Sequence, residues 1–188
     1  MTAADELERD AEALRARWFE RCLDRTARLA ARLRVLVELG PMHGAAAHEL
    51  EDLRAEVEDL GWVLGRLGAA LGADAMGPRH HPRGLALLVD LASQELAVVG
   101  DPPDLAPGGH ELVLTEVVAL LIGRGGDRVA RWGTEPEVCR LVVEGSPPRE
   151  AEDAWLAERG LGYEPGSREP DRCWTLVIPP GWVQDARS

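Results

Sequence analysis

The segment LEDLRAEVEDLGWVLGRLGAAL, residues 50–71, carries apolar residues at alternating intervals of three and four. This spacing is typical of a helix that packs lengthwise against another helix, as in a coiled coil. We predict a helix from about residue 45 to residue 71. Its seam consists of Leu50, Leu53, Val57, Leu60, Leu64, Leu67 and Leu71.

The chain before this segment predicts a second long helix. Neither Gly nor Pro occurs from residue 3 to residue 39, where alanine, leucine, arginine and glutamate dominate. LGPMHG, residues 39–44, then supplies the glycines and proline of a turn. The apolar seam of this helix consists of Phe19, Cys22, Thr26, Leu29, Leu33 and Leu36.

The apolar stripe of the first helix is wider than contact with one helix requires, because further leucines and valines lie beside the seam. Such a stripe more often packs in a four-helix bundle. We therefore predict that two copies of an antiparallel helical hairpin form a homodimer. The alternative, in which the hairpin folds back on the C-terminal domain of its own chain, stays open.

Charge favours antiparallel pairing within the hairpin. Residues 15–34 contain seven arginines and two acids, whereas residues 49–59 contain six acids and one arginine. A turn centred near residue 42 predicts three ion pairs, which are Arg25 with Asp59, Arg28 with Glu56, and Arg32 with Asp52. Exposed pairs of this kind select the register more than they stabilise the fold.

Composition limits the partners of the chain. Its 33 acidic and 21 basic residues leave a net charge of −12 over 188 residues, which repels nucleic-acid phosphates and anionic membranes. Three cysteines without CxxC spacing favour a reducing compartment, and no apolar run approaches the length of a membrane span. We expect a soluble cytoplasmic protein with no cofactor or bound metal.

Residues 73–84, ADAMGPRHHPRG, predict a linker. The chain is thereby divided into a helical dimerisation domain at 1–72, the linker, and a second domain at 85–188. In the second domain we predict helices at 110–123 and 150–162, and strands at 95–101, 128–133, 137–145 and 172–179; residues 85–92 fit either helix or strand. This mixture predicts an α+β sandwich, with one sheet covered by two or three helices.

Four short stretches of the second domain carry a resemblance to a known family. They are VVGD at 98–101, LVLTEVVALLIG at 112–123, CRLVVEGSPP at 139–148 and RCWTLVIPP at 172–180. In this order, after a helical hairpin, they resemble the core of bacterial sensor histidine kinases and the related dimeric histidine phosphotransferases. The resemblance implies a small GHKL ATPase-like α/β sandwich, with residues 112–123 as the N-box helix and residues 139–148 as a strand and the D-box.

The groups that bind Mg²⁺ and nucleotide in this family are missing. Its N-box carries two asparagines, and the matching residues here are Glu116, interpreted as a solvated helix glutamate, and Leu120, which has no oxygen for Mg²⁺. Glu144 lies near the D-box aspartate position, and Ser146 and two prolines replace its glycines. Residues 145–151 are also too few to contain an ATP lid.

The phosphoacceptor histidine of the family is missing from the first helix, where FERCLDRTARL, residues 19–29, contains none. His43 and His48 lie at the turn instead, as candidate displaced phosphoacceptors. We therefore predict a catalytically inactive, histidine-kinase-like signalling adaptor that binds a response regulator or another signalling protein. Two alternatives are an ATP-independent histidine phosphotransferase that uses His43 or His48, and a structural coiled-coil protein with an α+β cap.

Overall fold

The chain folds as an α+β protein with a long N-terminal helix and a small mixed five-stranded sheet. The computed structural model describes residues 3–39, 45–72, 81–92, 98–100, 102–103, 105–106, 110–125, 128–133, 140–166 and 172–183. The predicted phosphoacceptor candidate His43 and the predicted turn around it lie outside these ranges.

After the first two helices, the chain contains three shorter helices and five strands in mixed order. The helices are α1 (Ala3–Leu39), α2 (Ala45–Ala70), α3 (Gly84–Leu91), α4 (His110–Gly125) and α5 (Glu150–Glu158). The strands are β1 (Val98–Val99), β2 (Val129–Trp132), β3 (Arg140–Glu144), β4 (Gly162–Pro165) and β5 (Cys173–Val177), followed by a short 3₁₀ turn at Pro180–Trp182.

The sheet has the strand order β1-β2-β3-β5-β4. β1 and β2 are parallel, as their connection through α4 allows, and the other neighbouring pairs are antiparallel. Because side chains alternate along a strand, every second residue points to one buried face. The buried residues of that face include Ala130, Trp132, Leu141, Val143, Trp174 and Leu176.

The chain forms two compact units, one of residues Met1–Leu14 with Arg79–Ser188 and one of Arg15–Pro78. The first fourteen residues thus belong to the α+β unit, whereas the sequence assigned all of 1–72 to the hairpin. Leu7, Ala11 and Leu14 explain the difference, since they form one buried face of α1 at helical spacing. Glu8 adds an ion pair with Arg159, just after α5.

Three elements of the α+β unit go beyond or differ from the prediction. The stretch at 85–92, undecided from the sequence, is helical, since α3 spans Gly84–Leu91. The helix predicted to reach residue 162 ends at Glu158, because Gly160 adopts a φ of 70° and the chain reverses. Strand β4 was not predicted, since GYEP shows no apolar alternation; as an edge strand it tolerates Pro165.

The predicted partner of Arg32 is wrong by one helical turn. Its guanidinium donates to Glu49 at 2.5 Å and to Glu56 at 2.8 Å, on either side of the expected Asp52. Glu56 therefore pairs with Arg32 rather than with Arg28. Only five residues lie between α1 and α2. The ion pairs from Arg32, late in α1, to Glu49 and Glu56 of α2 therefore favour an antiparallel arrangement of the two helices.

The packing of the first turns of α1 predicts a stability effect. We expect Leu7→Ala to lower the free energy of unfolding by about 2 to 5 kcal/mol, because it opens a cavity among buried neighbours. Val35→Ala is the control on the same helix, since Val35 is exposed, and it should change stability by less than about 0.5 kcal/mol. Urea unfolding of both variants measures the effect, and equal small losses would contradict the packing described.

Candidate functional site

The residues that match the N-box positions lie in the core. From residue 111 to residue 122 of α4 only Val113 is not fully buried. Glu116 is 2% exposed and Leu120 is 5% exposed, so the interpretation of Glu116 as a solvated glutamate is wrong. A helix buried on all sides serves packing, and this role agrees with the leucine at position 120.

Glu144 and Ser146 lie at the exposed end of β3, where the resemblance places the D-box. Glu144 is the last residue of the strand and is exposed to solvent. The Ser146 carbonyl oxygen is engaged, since it accepts hydrogen bonds from Arg128 Nε at 2.9 Å and from Trp174 Nε1 at 3.0 Å. The loop after β3 is thus fixed to neighbouring elements through its backbone.

A buried arginine holds this loop in place. Arg128 donates to the carbonyl oxygens of Leu121 at 2.6 Å, Ser146 at 2.9 Å and Pro147 at 3.1 Å. It also donates to the two carboxylate oxygens of Glu152 at 3.4 and 3.2 Å. We refer to Arg128 with these four partners as the Arg128 clamp. It joins the end of α4 to the β3–α5 connection.

The Arg128 clamp uses the whole hydrogen-bonding capacity of its guanidinium. An arginine side chain has five N–H donors, and all five have acceptors here. Arg128 is buried, and its guanidinium carbon also lies 5.9 Å from the centre of the Trp174 ring. With every donor engaged inside the protein, this guanidinium has none left for a phosphate group.

Glu152 has two roles in the clamp. Its carboxylate pairs with Arg128, and one oxygen also accepts a hydrogen bond of 2.8 Å from the Arg149 backbone N–H at the start of α5. An acid in the first turn of a helix also complements the helix dipole. The sequence indicated that role for acids near residue 150, but it carried no signal for Arg128, which is one of many arginines.

The histidines do not gather into one site in the described ranges. His48 lies exposed near the start of α2, His81 accepts a hydrogen bond from the Arg83 N–H, and the His110 ring stacks on Trp182 at 4.0 Å. No group of three metal-ligating side chains forms among the residues that the structure describes. In the same ranges no helix combines the length and the apolar character needed to cross a bilayer.

Cys22 lies buried on α1. Burial raises the pKa of its thiol to about 11, and the nearby Arg25 charge opposes this only in part. Because the thiolate is the reactive form, the Cys22 thiol stays inert near neutral pH. Cys173, on β5, is half-buried.

The two long helices line an open groove of about 490 Å³ in the unit formed by Arg15–Pro78. Its walls are mostly aliphatic, and we refer to it as the apolar groove. From α1 it takes Thr26, Leu29, Ala30 and Leu33. From α2 it takes mainly Leu50, Leu53, Val57, Leu60 and Leu64, with Arg54 and Gly61 at its side.

The residues of the predicted seam differ in how far they are buried. Cys22, Leu29, Leu53, Leu60 and Leu67 are buried. Phe19, Leu36 and Leu64 are half-buried, whereas Leu33, Leu50, Val57 and Leu71 remain exposed. Contacts within one chain therefore cover only part of the seam.

Comparison with known proteins finds no family model and no curated sequence that matches this chain. The candidate site therefore rests on its own geometry.

The Arg128 clamp predicts a large loss of stability when its cation is removed. We expect Arg128→Ala to lower the free energy of unfolding by about 3 to 5 kcal/mol, because it leaves the Glu152 carboxylate buried without its partner. Arg131→Ala, at an exposed position of the strand that follows Arg128, should change it by less than about 0.5 kcal/mol. Urea unfolding of the two variants gives the comparison.

The double variant Arg128→Met with Glu152→Leu separates the charge from the packing. It should regain most of the lost stability, since apolar residues of similar volume can replace a buried ion pair. An Arg128→Ala variant as stable as the wild type would show that the clamp does not hold the loop after β3.

The burial of Cys22 predicts slow alkylation. In the native protein at about pH 8, iodoacetamide should modify Cys22 far more slowly than Cys173, because the Cys22 thiol is buried and protonated. Peptide mass spectrometry after timed quenching measures both rates, and in urea they should become similar. A native Cys22 that reacts as fast as Cys173 would contradict its burial.

Proposed function

We propose that the protein is a catalytically inactive, histidine-kinase-like signalling adaptor. In this proposal it forms a homodimer through a bundle of its long helices and binds a response regulator or another two-component signalling protein. It neither hydrolyses ATP nor phosphorylates itself. The α+β unit is then a degenerate GHKL ATPase-like domain.

The Arg128 clamp is the observation that carries this proposal. A nucleotide site needs backbone and donors that are free to approach phosphates. The connection between β3 and α5 is instead five residues long, and its carbonyls at Ser146 and Pro147 are tied to a buried guanidinium. The buried Leu120 supports the same conclusion, since it offers no oxygen to a divalent cation.

The apolar groove supports a role in binding other proteins. Contiguous exposed apolar surface on a soluble protein marks interaction sites more often than isolated exposed residues do. Here exposed Leu33, Leu50 and Val57 line one groove. A chain with a net charge of −12 also selects against nucleic acid as the partner.

The exposure of His48 favours one second candidate, an ATP-independent histidine phosphotransferase. An imidazole that relays a phosphoryl group must be accessible to the donor protein, and His48 is exposed near the start of α2. In this alternative His48 carries a phosphoryl group from a kinase to a response regulator. His43 is the alternative carrier.

Nucleotide binding tests the adaptor proposal directly. We expect no saturable binding of ATP by isothermal titration calorimetry, with or without Mg²⁺, and no incorporation of phosphate from labelled ATP. An active sensor kinase core assayed in parallel is the positive control. Tight, Mg²⁺-dependent binding would overturn the proposal. So would a failure to bind any response regulator or kinase encoded near its gene.

Phosphotransfer separates the two candidates. Incubation with a phosphorylated response regulator should leave no acid-labile phosphate on the adaptor, because in this proposal none of the adaptor's histidines accepts a phosphoryl group. If such phosphate appears and is lost in His48→Ala or in His43→Ala, the phosphotransferase alternative replaces the adaptor. Loss of label with either alanine variant also identifies the carrier.

A further inference from the structure

One face of the five-stranded sheet has no cover in the part of the chain that the structure describes. Opposite the buried face, every outward side chain of the strands is exposed or half-buried. We refer to this side of the sheet as the open face. It carries four valines, which are Val99, Val129, Val142 and Val177. A solvated sheet face usually carries polar residues, so these valines need an explanation.

Three of the valines form a continuous stripe. The register of β2, β3 and β5 places Val129, Val142 and Val177 on one diagonal across these strands. We refer to these three residues as the valine stripe. Among the described residues of the α+β unit, the exposed large apolar side chains are those of Val99 and Val129, and both belong to the open face. The exposed apolar surface of this unit is therefore concentrated on the sheet.

Opposite charges flank the two sides of the valine stripe. The same register places Arg131 of β2 and Arg140 of β3 on one side, and Glu144 of β3 and Glu164 of β4 on the other. All four residues are exposed, and their side chains form no ion pair within the described ranges. Like charges on neighbouring strands repel each other. A partner that brings acids to the arginines and bases to the glutamates would relieve this repulsion.

The size of the open face favours a single helix as its occupant. Five strands about 4.8 Å apart, with about 3.3 Å per residue, give a face of about 19 Å by 13 Å, on the order of 250 Å². A standard interface covers about 800 Å² on each partner, so this face alone is too small to hold a second copy of the chain. The valine stripe is about 16 Å long, which a helix of about eleven residues spans.

We infer that the open face binds one amphipathic helix of another protein, whose apolar side packs on the valine stripe. Charge complementarity specifies the flanks of that helix. Acidic residues lie beside Arg131 and Arg140, and basic residues lie beside Glu144 and Glu164. The bound helix adds a third layer to the α+β unit, as in folds with helices on both faces of a sheet. This surface belongs to the α+β unit alone and is independent of the apolar groove and of the homodimer.

Two synthetic helical peptides test the charge pattern on the full-length protein. Each has about fourteen residues, or four helical turns, with leucines on one side and a hydrocarbon staple on the other. The bipolar peptide has glutamates along one edge of its leucine side and lysines along the other edge. The lysine peptide has lysines along both edges. Fluorescence anisotropy of the labelled peptides gives the dissociation constants.

Charge reversal on one side of the valine stripe should exchange the peptide preference. In the double variant Arg131→Glu with Arg140→Glu, we expect the bipolar peptide to bind about tenfold more weakly than to the wild type, and the lysine peptide to bind about tenfold more tightly. The control is Arg17→Glu with Arg34→Glu, which makes the same change of net charge at exposed positions of α1. It should change both dissociation constants by less than about twofold.

A pair of matched valine variants tests the apolar contact. Val129 is 44% exposed on the valine stripe, whereas Val57 is 55% exposed in the apolar groove. Val129→Lys should weaken binding of the bipolar peptide by about tenfold or more, because the bound helix removes the ammonium group from water. Val57→Lys should change it by less than about twofold. Circular dichroism checks that the variants are folded, and a lysine beside Glu144 favours the folded sheet.

Absence of binding by the bipolar peptide would overturn the inference, and so would binding that is unchanged in the Arg131 and Arg140 double variant. A loss of affinity in Val57→Lys instead of Val129→Lys would place the peptide in the apolar groove. Self-association of the wild type that Val129→Lys abolishes, measured by sedimentation equilibrium, would make a second copy the occupant. Either result would also overturn the inference. Nucleotide and response regulators are absent from these measurements, so their outcome is separate from that of the adaptor proposal.

Discussion

The buried ion pair between Arg128 and Glu152 is the constraint on which the α+β unit depends. One guanidinium joins the last full turn of α4, the loop after β3, the first turn of α5 and, through Trp174, strand β5. Burying two charges is costly unless each is fully hydrogen-bonded. Here the surrounding carbonyls and the Arg149 N–H complete the shell. The same interaction therefore fixes the connection between four elements and leaves little freedom at the end of β3.

The Arg128–Glu152 ion pair links the stability of the α+β unit to the proposed absence of ATP hydrolysis. A loop that binds a nucleotide must stay open to its ligand. In this chain the loop is short, and its carbonyls stabilise a cation that belongs to the protein. All the donors of the Arg128 guanidinium bond to groups of the protein. An adaptor that only presents a surface gains a rigid unit from this arrangement.

The sequence predicted the helices better than the sheet. The heptad spacing of residues 50–71 and the Gly- and Pro-free segment before it predicted the ends of α1 and α2 to within about one residue. A helical pattern repeated over many turns leaves little ambiguity about the type of element. Short β4 escaped detection, since Gly162 and Pro165 give no alternation. At the candidate site the sequence already showed that the Leu120 side chain has no oxygen for a cation, whereas the burial of Glu116 and the role of Arg128 were not predictable. Both depend on contacts between residues far apart in the chain.

Helix α1 has a consequence for how the sequence can change. Leu7, Ala11, Leu14, Trp18 and Cys22 follow one another at helical spacing without a Gly or Pro between them. One residue inserted after Leu14 would turn every later position of the helix by about 100°. Trp18 and Cys22 would then leave the face that Leu7 and Ala11 share. Substitutions can accumulate along this helix, but its length can change without loss of phase only by close to a whole number of turns, such as about seven or about eleven residues.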